Sequence, residues 1–223
     1  MSHETPDKIT LEMMRSSFYS AVVSDALDAL GYSRQSPRVS LAPLTTERVL
    51  VGYCKTTLWE ELQGKDSSPY ELELQAVDEC QPDDVLIAAA AGSMRSGIWG
   101  ELLSTAAGNR GCIGAIVDGA VRDVEKMTAM GFAVFARGTS VYDSQDRQRV
   151  SAIDVPVEID GVRFSSGDLV IADRDGVVVV PAEVHEQAVQ AALDGNMDLI
   201  NGIDDRVQRA KAKSALAKAK RNR

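Results

Sequence analysis

Apolar residues recur at helical spacing over residues 10–17 (TLEMMRSS) and 20–30 (SAVVSDALDAL), which predicts two N-terminal helices, the second ended by Gly31. Residues 34–46 (RQSPRVSLAPLTT) break the pattern with Pro37 and Pro43 and predict a loop. The stretch RVLVGYCKTTLW then alternates as a strand does. Beyond it the period switches repeatedly: helix 70–80, strand 84–90, helix 101–109, strand 112–117, helix 123–130, strand 132–136. Such alternation predicts an α/β core with parallel pairing, its seams marked by Gly92, Gly100, Gly111, Gly119 and Gly131.

After residue 150 the character changes. IDVPVEI, GVRF, DLVIA and GVVVVP are short apolar runs separated by turn residues, with Asp160-Gly161 and Asp175-Gly176 at two of the turns, and they predict an antiparallel meander. Pro181 closes the last run, and residues 182–201 suit a helix. No internal repeat or low-complexity linker interrupts the chain, so we expect one domain over residues 1–205 and a helical or frayed arm over 206–223.

Composition sharpens the class. A chain of 223 residues with 44% hydrophobic content buries a substantial core. Its longest apolar run, VLIAAAA at residues 85–91, is far short of the roughly 20 residues a membrane-spanning helix needs. The polar opening MSHETPDKIT lacks the order of a secretory signal, which predicts a cytoplasmic protein. Cys54, Cys80 and Cys112 are odd in number and match no disulfide or CxxC pattern, so each is expected to be a small buried hydrophobe. With only His3 and His185 present, neither a histidine-built zinc site nor a Ser-His-Asp triad is expected. The net charge of −9 conceals an asymmetry: residues 206–223 hold eight Lys or Arg and no acid, leaving −17 on the remainder. An acidic body argues against nucleic acid as the main partner.

The stretch 92–125, GSMRSGIWGELLSTAAGNRGCIGAIVDGAVRDVE, offers chemistry at two points. Gly100, Glu101, Leu102 and Leu103 would open a helix whose free N–H groups and positive dipole end can hold a carboxylate or phosphate. Arg122 and Asp123 follow the apolar strand CIGAIV and the turn DGAV, at the carboxyl edge where α/β sheets present their crevice. An Arg beside an Asp there can bind a carboxylate and a divalent cation together. By spacing alone, the glycine is equally a tight strand-to-helix turn and Asp123 equally a helix N-cap.

The spacing of Glu101, twenty residues, then Arg122-Asp123 resembles the acid-X20-Arg-Asp signature of the 4-hydroxy-4-methyl-2-oxoglutarate aldolases in the RraA-like superfamily. The phrases WGELLSTAA, GAIVDGAVRD, GFAVFARG and GDLVIADRDGVVVVP are similar to that superfamily as well, over roughly residues 20–200. The resemblance implies a swivelling phosphohistidine-like β/β/α domain assembled as a homotrimer or as a homohexamer of two rings. It implies a class II pyruvate aldolase that also decarboxylates oxaloacetate, with Asp123 as the protein ligand of Mg2+ or Mn2+. The substrate carboxylate would lie on the amides of Gly100 to Leu103, with Arg122 at the ketone oxygen and Glu101 orienting or deprotonating a water on the metal. The distal pocket is expected to draw on Met94, Arg95 and Trp99. In some members an acid from a neighbouring subunit's C-terminal helix assists the metal, a role for which Asp194 and Asp198 are candidates. Two positions depart from the family: Glu101 stands where Asp is frequent, and Lys126 where many members carry an acid, with Glu125 the nearest one. The same superfamily holds non-catalytic regulators of ribonuclease activity that act by contact and tend to lack the Arg-Asp pair. The methyltransferase name once attached to it is disfavoured by the absence of a GxGxG-like loop.

Overall fold

The computed structural model describes residues 9–195, and its first two elements are the expected helices, α1 (Leu11–Ser17) and α2 (Ser20–Ala29). α2 buries Val22, Val23, Ala26 and Leu27. Gly31 ends it at φ +88°, with the Tyr32 N–H donating to the Leu27 carbonyl at 2.8 Å and the Gly31 N–H to that of Asp28 at 3.0 Å. That left-handed closure suits glycine, which has no Cβ to clash. The start of α2 is capped across the fold: the Ser20 N–H and hydroxyl donate to the Asp173 carboxylate at 2.6 and 2.7 Å.

Next come β1 (Ala42–Pro43), β2 (Leu50–Glu61), α3 (Glu71–Asp78), β3 (Asp84–Ala89), β4 (Gly97–Trp99), α4 (Glu101–Asn109), β5 (Gly114–Val121), α5 (Val124–Ala129) and β6 (Ala133–Thr139). The chain continues with β7 (Gln148–Ile153), β8 (Val157–Ile159), β9 (Val162–Phe164), β10 (Leu169–Ala172) and β11 (Val177–Val180). A short 3-10 turn, Ala182–Val184, then leads into α6 over residues 185–195.

The main sheet has the order β1-β6-β5-β3-β2-β10-β11, with β4 joined to β5 and β7 to β2. As the alternation predicts, β2, β3, β5 and β6 pair in parallel. Helices α3, α4 and α5 cover one face, where Val77, Ala107 and Met127 join Leu86, Val117 and Val134 in one core. The β8–β9 hairpin covers the other face, placing Ile159 and Phe164 against Ile87, Ile116 and Phe135. This gives the expected β/β/α layering, and α1, α2 and α6 close the β10–β11 end.

Two expectations need correction. Residues 118–121 continue β5 instead of turning, with an irregular register between Val117 and Ala120. They can do so because the buried Asp118 carboxylate is met by Arg137 and the Gly92 N–H. The region after residue 150 is not a single meander either. β7 and β10 both pair antiparallel with β2, β10 along its first half and β7 along its second. β8 and β9 form a separate hairpin through Asp160 and Gly161, both at positive φ as a two-residue type I′ turn requires. The three cysteines are buried and free, as expected. Among the described residues no helix is long and apolar enough to cross a membrane. His3, Asp198 and the basic segment 206–223 lie outside the described residues.

In β2, a Cβ on Gly52 would collide with the Asp83 carbonyl oxygen and come within 2.9 Å of Val85 Cγ2. Gly52→Ala is therefore expected to cost about 1–3 kcal/mol, the usual range for overpacking. The measurement is the thermal unfolding midpoint, with Gly64→Ala as control, since a methyl there meets nothing within 4 Å.

Candidate active site

β4 and β5 pair in parallel and deliver their carboxyl ends side by side, with Gly97 opposite Ala120 and Trp99 opposite Val121. β4 runs through Gly100 into α4, and β5 runs through Arg122 and Asp123 into α5. The Arg122 N–H donates to the Trp99 carbonyl at 2.9 Å and so locks the two exits together. Gly100 is extended (φ −161°), a conformation open to any residue, so the demand for glycine is one of space. A Cβ there would lie 2.6 Å from Asp123 Oδ2 and 3.1 Å from Arg122 Cγ.

Asp123 occupies the position of a helix N-cap, yet its side chain makes no capping bond to α5. It points instead to the start of α4, where the Glu101 N–H donates to its Oδ2 at 3.2 Å. The backbone at Asp123 is left-handed (φ 57°, ψ 33°), a region that Asp tolerates better than most residues. Arg122 Nε stands 3.8 Å from the same Oδ2, while its Nη2 reaches Asp143 at 2.7 Å.

These groups open onto a cleft of about 270 Å³ lined by Gly97, Ile98, Gly100, Leu102, Leu103, Arg122 and Asp123 on one side. Tyr70, Glu73, Leu74, Asp143 and Ser144 complete it, from α3 and the loop after β6. Leu102 and Leu103 belong to the first turn of α4, whose N–H groups have no acceptor within the helix. The structure thus brings together Gly100, Leu102, Leu103, Arg122 and Asp123. Glu101 contributes its backbone N–H, but its side chain is not among those lining the cleft.

The residues expected at the distal end sit elsewhere. Trp99 is buried, donating from Nε1 to Ser104 Oγ at 2.8 Å and stacking on Phe132. Arg95 is tied to the Leu62 carbonyl at 2.7 Å and to Glu61 at 3.7 Å. Met94 packs by Gly138 and does not line the cleft. Asp194 accepts from Gln190 within α6.

The distal wall holds the residues that pattern reasoning missed. Tyr70 donates to Asp143 Oδ1 at 2.6 Å, and burial together with that carboxylate pushes its phenol up to about 12. Burial works to raise the Asp143 carboxyl, but hydrogen bonds from Tyr70, the Gln145 amide and Arg122 overcome it and hold the group below the usual carboxylate range. Glu73 is 5% exposed, and among the described residues its side chain accepts one long hydrogen bond, 3.4 Å from the Ser144 hydroxyl. Burial pushes its carboxyl up to about 8; Asp143 and Asp66 reinforce this, while Ser144 and Arg122 oppose it. Glu73 shares the buried face of α3 with Ala76 and Val77, at i+3 and i+4. An acid on an apolar stripe was the signal available in the sequence.

Residues 20–179 match the family model described as RraA-like, Aldolase/RraA. A protein of Halalkalibacterium halodurans, provisionally named a 4-hydroxy-4-methyl-2-oxoglutarate aldolase, is 32% identical over 176 residues, 79% of either chain. Protein DlpA of Legionella pneumophila is 28% identical over 174 residues, which are 78% of this chain but 28% of that longer one. The crystal structure of Streptomyces coelicolor RraAS2, titled an unusual member of the RNase ES inhibitor RraA protein family, superposes with a TM-score of 0.76 at 29% identity, covering 90% of this chain and 98% of that one. The match over most of the chain, together with the β/β/α layers and the Arg122-Asp123 corner at the end of β5, places this protein in the RraA-like family.

Proposed function

We propose that this chain is a divalent-metal-dependent carbon–carbon lyase that cleaves 4-hydroxy-2-oxo acids to pyruvate and an aldehyde or ketone. The observation that carries the reading is the corner itself, where a carboxylate and a guanidinium meet the open first turn of a helix inside one cleft. The name of the Halalkalibacterium halodurans relative supports it. A regulator acting only by contact has no need of such a convergence.

Asp123 is the residue that would hold the metal. Its side chain is 40% exposed and, among the described residues, accepts a single hydrogen bond, so it has lone pairs to spare for a cation. Among the described residues no three His, Cys, Asp or Glu side chains converge on one point. On this reading Asp123 is the protein carboxylate that would hold the cation, with substrate and water oxygens completing its shell. That donor set fits Mg2+ or Mn2+, hard ions that keep much of their water. When bound, the ion supplies Lewis-acid polarisation of the substrate ketone.

The chain's own groups do the rest. The first turn of α4, Gly100 to Leu103, receives the substrate carboxylate on its N–H groups and dipole. Arg122 donates to the ketone oxygen, where negative charge grows as the C3–C4 bond breaks and its electron pair moves onto C3. The C4 hydroxyl gives up its proton as the new carbonyl forms, and Glu101, beside Asp123 at the helix start, takes up that proton through an intervening water. The enolate then gains a proton at C3 and leaves as pyruvate. Loss of CO2 from oxaloacetate passes through the same enolate, so the corner's chemistry extends to decarboxylation.

Exposed apolar side chains at and around the cleft support a homotrimer or homohexamer that covers this region. Leu74 and Leu102 line the cleft at 53% and 78% exposure, and Val141 and Tyr142, preceding Asp143, are exposed to 87% and 60%.

Pyruvate alone tests the enolate step, because its methyl protons exchange with D2O only when an enolate forms. NMR should show exchange that requires Mg2+ or Mn2+ and stops in excess EDTA. Asp123→Ala is expected to reduce it by a factor of about 10²–10³, the usual loss when a group stabilising developing charge is removed. Its circular dichroism should be unchanged, since no core side chain is lost and the strain of alanine at a left-handed position, about 1–2 kcal/mol, is small beside the roughly 5–15 kcal/mol of a typical domain. Arg122→Lys exchanges a planar fork for a point charge and should lose at least about tenfold. Exchange at the wild-type rate in Asp123→Ala would remove the basis of this assignment.

A further inference from the structure

An enolate left by C–C cleavage must take up a proton at C3. Among the described residues lining the cleft, four side chains besides Arg122 can titrate: Tyr70, Glu73, Asp123 and Asp143. Three of them are committed. Asp123 is the carboxylate to which we assign the cation. Asp143 is held below the usual carboxylate range and meets Arg122 Nη2 at 2.7 Å. The Tyr70 hydroxyl donates to Asp143 at 2.6 Å, and burial together with that carboxylate pushes the phenol up to about 12. Glu73 is left. It projects from the first turn of α3, 5% exposed, with the Ser144 hydroxyl at 3.4 Å and Arg122 near enough to act on its charge. A buried carboxyl so weakly bonded is costly to ionise, and one that keeps its proton at neutral pH inside a cleft has that proton ready for transfer.

Glu73 also borders a second space. Behind α3 lies an opening of about 240 Å³ lined by Ser68, Tyr70, Glu73, Arg149 and Ser151. Because Glu73 lines both openings, it stands between the substrate side and another route to water. A group so placed can trade its proton with solvent while the front of the cleft is filled. The charged groups around it come from each element packed on α3. The loop after β6 brings Asp143 and also Arg147, whose Nη1 is held on the Asp143 and Gln145 carbonyls at 3.1 and 3.3 Å. β7 brings Arg149, paired with Glu60 at 2.8 Å and with Asp66 at 3.6 Å. α4 begins at Glu101, and Arg110 at its end pairs with Asp78 at 2.9 Å; α3 itself adds Glu71. Burial outweighs these and pushes the Glu73 carboxyl up to about 8, with Asp143 and Asp66 adding to the rise and Ser144 and Arg122 opposing it.

We propose that Glu73 is the proton carrier of this site: its carboxyl protonates C3 of the enolate in the cleft and regains its proton through the opening behind α3. This rests on the pyruvate-enolate reading and names the donor which that reading leaves open. In the lyase direction the C3–C4 bond breaks and its electron pair moves onto C3. The Glu73 O–H bond then breaks as the C3–H bond forms, and the carboxylate left behind takes a proton from water at the rear. With pyruvate alone the last steps run backwards. The carboxylate removes a methyl proton, exchanges it for a deuteron from D2O at the rear, and returns the deuteron to C3. The lyase direction thus uses the acid and methyl exchange uses the carboxylate, so exchange strengthens as the pH rises toward and past 8. A charge brought to the cleft by a neighbouring copy would move the pH of that change without reversing its direction.

The test compares the full-length wild type with Glu73→Gln, which keeps the size of the side chain and removes its titration. With Mg2+ present and over a range of pH, exchange of the pyruvate methyl protons in D2O is followed by NMR and consumption of oxaloacetate by absorbance. Exchange in the wild type should rise with pH, and in Glu73→Gln it should fall by about 10²-fold or more, the usual contribution of a positioned acid or base. Oxaloacetate consumption, whose C–C cleavage draws no proton from Glu73, should lose at least about tenfold less than exchange does, whereas a structural defect lowers both alike. Melting of the metal-free proteins supplies a readout apart from turnover. Folding raises this carboxyl to about 8, so the folded wild type keeps a proton that the unfolded chain has already lost, and its midpoint should fall relative to that of Glu73→Gln as the pH climbs toward 8. Equal losses of exchange and consumption in Glu73→Gln, exchange at the wild-type rate in that variant, wild-type exchange that does not rise with pH, or melting with the same pH dependence in both proteins would each overturn the assignment and leave the enolate chemistry standing. Absence of metal-dependent exchange in the wild type would instead strike at the lyase reading itself.

Discussion

The site depends on a steric constraint: three backbone segments converge where there is no room for a Cβ. Gly100 passes within van der Waals contact of Asp123 and Arg122, and Gly97 passes equally close to the Ser140 carbonyl and Arg122 Cβ. Because these segments touch, the Arg122 amide can bond to β4, the Asp123 carboxylate can reach the first amide of α4, and Arg122 can span from Asp123 to Asp143. The side chains of the corner are thus oriented by the main chain, and little rotamer freedom remains to be lost when a ligand binds.

The parallel core was legible because its elements carry strong, unmixed periods. The predicted limits of α4 match those observed, and the strands at 84, 112 and 132 begin within two residues of expectation. The errors arose where a polar residue inside a strand imitated a turn. Asp118-Gly119 has turn composition, yet Arg137 and the Gly92 amide neutralise the buried acid, and a tertiary ion pair of that kind leaves no trace in local sequence. The misread meander has a similar origin. β7 and β10 both pair with β2, and only β2's length of 12 residues hinted that one strand would serve two partners.

The near wall of the cleft was equally legible, since Arg122, Asp123 and Gly100 lie close to one another at the ends of adjacent elements. The far wall comes from residues 70–74 and 143–144, at least 20 positions away on either side, and is assembled by α3 packing beside β7. Trp99 misled for a physical reason. Its nearness in sequence to Gly100 placed it among the expected pocket residues, but the parallel pairing of β4 turns this indole into the core, where Ser104 satisfies its N–H.

The left-handed backbone of Asp123 bears on how such a scaffold changes over evolutionary time. A residue at φ 57° and ψ 33° is readily replaced only by asparagine or glycine, both a single base change from an aspartate codon and neither carrying a charge. The mutations the fold accepts most easily at this position are thus the ones that delete the carboxylate to which we assign the cation. Lineages can lose the chemistry in one step while keeping every strand, helix and exposed surface intact, which leaves a well-folded body free to be selected for contact with other macromolecules.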